Sequence, residues 1–431
     1  MNVERNPGCF CSVRPVLLVG LVAMAVAILG QPHTLAQSSR PSKVVLYASV
    51  GPELTQYDVD VETATLIKRS SVMLPENVQE AWPHPSRQYL YVGWSNGTEA
   101  DHHGLSAFRI DPTSGALRAH GPSVSLSARP IHLTTDVPGA HILVAYRDPS
   151  NVTVHRTNRD GTIASQVAAA TVLDVGVHGH QVRVDPSNQM VILATLGNDA
   201  TRDMPEDPGA LKIFTYRDGV LANRTSIAPG GGFAFRARHL DFHPSRSWVF
   251  VTLESQNKLQ VFQRLNGETL SSAPLFSRDT LTDPAKALPE QHAGTVHVHP
   301  SGRVVYVANR ATDTTSVDGR AVFAGGENTI AVFAIKQGTG EPTLIQNVDT
   351  RGIQPRTFAL DPTGRILVAA NQRPILVREG SGIRTVPASL AVFRVHDDGT
   401  LEFVRTYDVA AGDDSLQDAR SLLWTGIVAL P

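Results

Sequence analysis

Six prolines, Pro85, Pro138, Pro186, Pro244, Pro300 and Pro362, recur at intervals of roughly 50 to 60 residues, and counting from them lines up the residue types that could do chemistry. Six positions before each proline stand Gln79, His132, His180, Arg238, Gly294 and Arg356. Ten positions after stand Ser95, Asp148, Leu196, Glu254, Arg310 and Gln372. Carboxylates, imidazoles and guanidiniums at equivalent places can carry or share protons and hold anions. An imidazole or carboxylate can take a proton from water, and a guanidinium fork can hold a developing oxyanion or an anionic substrate group. Three cations at one place repel unless an anion sits among them, and Glu254 is that anion or the base itself. His297, three positions before its proline, has Arg183 and Asp241 as equivalents. That trio fits a polar network between repeats as well as it fits chemistry.

Other motifs lack the element that would make them work. Gly93-Trp94-Ser95-Asn96-Gly97 has the spacing of a nucleophile elbow but runs from a strand into a loop, with no helix behind it. Gly230-Gly231-Gly232 lacks the Lys-Ser/Thr of a phosphate loop. His102-His103 has no further ligand at metal spacing, so neither a metal nor another cofactor is expected. His84, His243 and His299 directly precede turn prolines and read as turn residues.

Rings of equivalent residues need a repeated scaffold to hold them. Each proline lies in a turn such as His299-Pro300-Ser301-Gly302 or Asp361-Pro362-Thr363-Gly364, between two apolar strands. A third strand follows, then a Gly turn and a fourth. Four strands at this period are one blade of a β-propeller. Residues 44–48 and 55–59 look like second and third strands without a first, and residues 421–430 look like a first strand without its continuation. Joining them makes a seventh blade and removes two exposed sheet edges. The expected fold is therefore all-β, a seven-bladed β-propeller of four-stranded antiparallel blades closed by its N- and C-terminal strands. In each blade the first two strands meet at the proline turn, so the two counted rings should rim the opposite mouth, where a pocket is normally built. Residues 311–326 and 373–387 follow second strands as longer insertions and should overhang that mouth.

Composition narrows the partners. With 42% hydrophobic and 18% charged residues the chain can bury a large core, and a formal charge of −2 provides no basic field for nucleic acid. Arg5 and Arg14 precede an apolar run at 16–29 and the small-residue site Thr34-Leu35-Ala36, which reads as a signal peptide over 1–36. The run is short for a spanning helix, although a retained anchor is the alternative. Cleavage would remove Cys9 and Cys11, leaving a domain over 37–431 without thiols or disulfides. The mature chain is expected to be periplasmic or secreted, without a stable membrane partner, and monomeric.

With these residues in place, the sequence resembles the β-propeller lactonase family typified by bacterial 6-phosphogluconolactonase, from about Lys43 to the C-terminus. The resemblance is carried by Val177-His178-Gly179-His180, Arg238-His239-Leu240-Asp241-Phe242-His243-Pro244, Val296-His297-Val298-His299-Pro300, Ala308-Asn309-Arg310, Gln354-Pro355-Arg356 and Ala370-Asn371-Gln372. It implies hydrolysis of a small-molecule lactone in a cleft formed by His178, Arg238, Glu254, His297, Arg310 and Arg356. Catalysis is expected from Glu254, His297, Arg310 and His180, with Glu254 or a neutral His180 or His297 as base. Arg238, Arg356, His178, His239 and Gln372 are expected to bind substrate. The family also contains muconate cyclases. A non-catalytic propeller binding a peptide or glycan is the competing reading, and it would need aromatic side chains at the rim, for which only Trp94 and Tyr146 qualify.

Overall fold

A computed structural model describes residues 43–98, 101–409 and 421–431. The expected leader at 1–36 lies outside them. Among the described residues no helix is long and apolar enough to cross a membrane.

Seven antiparallel blades form the scaffold, as expected. Blades 1 to 6 begin with the inner strands Asn77–Pro83, Pro130–Thr135, Gly179–Val184, Ala237–Phe242, Gln291–Val298 and Pro355–Leu360. Each inner strand pairs with a second strand beyond the proline turn. Blade 7 is assembled from both ends of the chain: Leu422–Ala429 is its inner strand and pairs with Val44–Val50, followed outward by Glu53–Asp60 and Thr65–Met73.

The period-two alternation of a strand explains how the blades hold together. On Val44–Val50, Leu46 points into an apolar cluster shared with Ile366 and Val368 of blade 6. Val45 and Tyr47 point into one shared with Leu90 and Val92 of blade 1. Each of the seven described apolar clusters likewise draws on two neighbouring blades, so the ring is closed by side-chain packing all round.

The proline turns add a polar stitch between blades. His84, His243 and His299 are turn residues, and each donates Nε2–H to the carbonyl of a glycine in the next blade's turn, Gly139 (3.2 Å), Gly302 (2.8 Å) or Gly364 (2.9 Å). Those glycines have φ of 77°, 69° and 75°. A Cβ there would lie 2.1 to 2.5 Å from the imidazole, so both the backbone and the space require glycine.

The two insertions at 311–326 and 373–387 pair with each other. They form hairpins, Thr314–Val317 with Arg320–Phe323 and Ile375–Glu379 with Gly382–Val386, joined by one parallel pairing of Val322 with Leu376. None of these hairpin residues lines the cleft described next.

Candidate active site

One backbone irregularity positions most of the polar residues of the channel. In blades 1, 3, 4 and 6 the pairing of inner and second strands skips one residue: Gln79, His180, Arg238 or Arg356. Such a bulge cancels the usual alternation and lets two consecutive side chains face the same side. As a result His180, Arg238 and Arg356 line a cleft at one mouth, while their immediate successors Gln181, His239 and Thr357 line a cavity towards the other.

The cleft has a volume of about 370 Å³ and also takes in Glu254, Arg310 and His178. Arg238 Nε donates to Glu254 Oε1 at 2.9 Å, and Arg310 Nη2 donates to the same oxygen. Arg238 is only 1% exposed. Burial alone would raise the Glu254 carboxyl, but Arg238 and Arg310 together hold it down at about 2. Glu254 is therefore a firmly ionised organiser of two guanidiniums and a weak proton acceptor. Burial and the neighbouring Arg310 push Arg356 down to about 10, where it remains charged at neutral pH. Burial, followed by Arg238 and His239, lowers His180 and keeps it neutral.

His178 stands at φ 51°, a left-handed conformation that turns its side chain away from the regular strand direction. Its Nδ1 lies 2.9 Å from the Gly197 carbonyl. A carbonyl only accepts, so Nδ1 carries a proton, and in the neutral ring Nε2 keeps its lone pair. The tautomer suited to a base is thereby fixed.

The cleft thus brings together His178, His180, Arg238, Glu254, Arg310 and Arg356. Three expected site residues fall elsewhere. His239 and His297 line the opposite cavity, because the residue after a bulge and the residue two further along both project there. Gln372 lines neither; its backbone is held by Gln354 and Leu422. His297 instead continues the inter-blade chain in which Arg183 bonds Asp241 at 3.1 Å and Asp241 lies 3.7 Å from His297 Nδ1.

In blade 2 the turn proline stands one residue out of frame with those of the other blades. Its turn is closed by Asp136 N–H to the His141 carbonyl, the bond that His84 makes with Tyr89 in blade 1, although Asp136 lies two residues before its proline and His84 only one. Correcting the frame replaces His132 with Ile131 and Asp148 with Arg147. Ile131 and Arg147 line the cleft, Asp148 stays beside them, and His132 moves to the opposite cavity. Arg129 was also missed; it reaches Gln79 Oε1 at 2.7 Å and Thr98 Oγ1 at 3.1 Å on the cleft wall. Nothing in the spacing marks it. Among the described residues neither Arg147 nor Arg356 has its guanidinium in a hydrogen bond or salt bridge.

Two remaining expectations are decided by burial. Ser95 is 1% exposed, with Oγ bonded to His103 Nδ1 at 2.8 Å, and it lines neither cavity, so this pair is structural. Trp94 and Tyr146 are buried at 4% and 1% exposure and offer no aromatic rim to a peptide or glycan.

Comparison with known proteins agrees with this architecture. The family described as lactonase, 7-bladed beta-propeller, matches residues 44–378. A 6-phosphogluconolactonase from Bacillus subtilis is 30% identical over 287 residues, covering 62% of this chain and 70% of that protein. Another from Pectobacterium carotovorum is 28% identical over 312 residues, covering 70% and 80%. In fold, the chain is similar to a periplasmic gluconolactonase from Pseudomonas aeruginosa, with a TM-score of 0.64, 21% identity and coverage of 90% of this chain and all of that one. With the match spanning most of the chain and the seven blades in place, this protein belongs to the lactonase family of seven-bladed β-propellers.

Proposed function

We propose that this lactonase-family enzyme hydrolyses a sugar lactone, or a related lactone with an anionic substituent, using a water activated by histidine in an arginine-lined cleft. The observation that carries the reading is the shared carboxylate: Glu254 holds Arg238 and Arg310 side by side in the wall of one cleft. Hydrolysis of a lactone passes through a tetrahedral oxyanion, and preorganised donors stabilise the charge as it develops. Arg147 and Arg356, whose guanidiniums have no partner among the described residues, suit an anionic group elsewhere on the substrate.

His178 is the base this geometry favours, since Nδ1–H is committed to Gly197 and Nε2 is left to accept. His180, held neutral by burial, is the second candidate. The relatives named 6-phosphogluconolactonase and gluconolactonase support a sugar-type lactone. The leader-like 1–36 segment supports action outside the cytoplasm, and the mature N-terminus read by mass spectrometry should then lie near Gln37. An intact Met1 on soluble cytoplasmic protein would exclude export.

The test of the activity is a lactone panel assayed on purified protein. Turnover of at least one lactone should fall about 10²-fold in Arg310→Ala, as loss of an oxyanion donor typically does, and chelator should change nothing. A responsive lactone that the Arg310→Ala variant hydrolyses at the parental rate would remove the arginines from the mechanism.

A further inference from the structure

We propose that the cavity at the proline-turn mouth is a second binding site, for an uncharged flat molecule that presents a carbonyl acceptor. The cavity is about 360 Å³, large enough for a small ring compound, and shares no lining residue with the lactone cleft. The inference therefore stands apart from the lactonase reading. Trp82, Phe358 and Trp424 contribute aromatic walls, which favour a planar apolar body.

The hydrogen-bonding character of the occupant follows from a chain of fixed tautomers. Leu240 N–H donates to Gln181 Oε1 at 2.6 Å, which fixes the amide so that its NH₂ is the group 3.3 Å from His132 Nε2. His132 Nε2 must then accept. Burial, with Arg183 nearby, keeps this imidazole neutral, so its one proton is on Nδ1. That Nδ1–H is buried and has no partner among the described residues, on a side chain 3% exposed that lines the cavity. A buried donor left unpaired is costly, and a ligand oxygen would relieve it.

Charge excludes an ionic occupant. Arg183, the one guanidinium of the wall among the described residues, is stacked 5.1 Å from the Trp82 ring and paired with Asp241, whose carboxylate also accepts from Val298 N–H at 2.9 Å. The Asp361 carboxylate is used within its own turn, by Thr363, Arg365 and Ile366 N–H. Burial pushes the Glu80 carboxyl up to about 8 against the pull of Arg356 and its hydrogen bond with Trp424, so it is neutral at pH 7. Among the described lining residues, an anion would find no unpaired guanidinium and a cation no unpaired ionised carboxylate.

Isothermal titration of the purified protein with 2-acetylnaphthalene, and with 2-ethylnaphthalene as the analogue without the carbonyl, tests this. The ketone should bind saturably with one site per chain and about tenfold more tightly than the hydrocarbon. His132→Leu should erase that preference, Phe358→Trp should fill the cavity and abolish binding, and Arg310→Ala in the lactone cleft should leave binding unchanged. Absent binding, equal affinity for ketone and hydrocarbon, or binding that survives Phe358→Trp would each overturn the proposal. The two-ligand comparison on the unsubstituted protein decides the point even where His132→Leu fails to fold.

Discussion

Replacing Glu254 by Gln separates an organiser of arginines from a base. The carboxylate is shared by Arg238, which is 1% exposed, and Arg310, 10% exposed, so neutralising it leaves two buried guanidiniums facing each other. Breaking such a pair costs about 3 to 5 kcal/mol, and the low end applies because the amide oxygen still accepts one hydrogen bond. At about 2.1 cal/mol/K per residue, a propeller of roughly 390 residues has an unfolding entropy near 0.8 kcal/mol/K. A loss of about 3 kcal/mol then lowers Tm by about 4 °C.

The pH dependence has a definite sign. With the folded carboxyl held at about 2 against an ordinary 4.5, its stabilisation is complete above pH 4.5 and is lost as pH falls towards 2, so the gap between parent and Gln variant should close over that window. Lactone turnover should drop about 10²-fold as the oxyanion donors lose their alignment, yet the acid limb of the pH–rate profile should remain, because another group takes the proton. Calorimetry and initial rates across pH provide both readouts. An unchanged Tm together with disappearance of the acid limb would refute the reasoning and make Glu254 the base.

Glu80→Gln should behave oppositely: the raised carboxyl costs stability as pH climbs from 4.5 through about 8, so the Gln variant should match the parent at pH 4.5 and melt higher at pH 8, by thermal denaturation. Arg147→Ala should raise KM for an anionic lactone about tenfold or more while leaving kcat and Tm nearly unchanged, since this exposed side chain has no described partner; steady-state kinetics with charged and neutral lactones reads the difference. Deleting residues 421–431 removes the inner strand of blade 7 and opens two sheet edges, so the truncated protein should lose its cooperative melt, whereas an unaltered Tm would mean that closure contributes nothing.

Blade number, strand alternation and the split seventh blade were legible because they depend on apolar periodicity, which a sequence displays directly. Arg238, Arg310, Arg356 and Glu254 were legible for the same reason, since equivalent blades give equivalent positions. His239 was misplaced because the residue that follows the bulge at Arg238 lines the cavity towards the other mouth, and the bulge is a feature of backbone pairing with no residue signature here. Arg147 was overlooked because Pro138 stands one residue later in its turn than the other five prolines do, an offset that shows only in which N–H closes the turn. Glu80 drew no attention for a further reason: its altered acidity arises from burial near Arg356, and neighbourhood across the ring cannot be counted along a chain.

The strand that closes the ring also furnishes part of the second cavity's wall, through Trp424, Thr425, Gly426 and Ile427, opposite side chains from blades 1 to 6. That chamber consequently exists only while the two ends of the chain are zipped together. By linkage, any small molecule resident there acts as a clasp on the closure: at a hundredfold excess over its Kd it adds about 2.7 kcal/mol against opening. The occupant's concentration would then be felt as resistance of the whole ring to unzipping, at a place remote from the lactone chemistry.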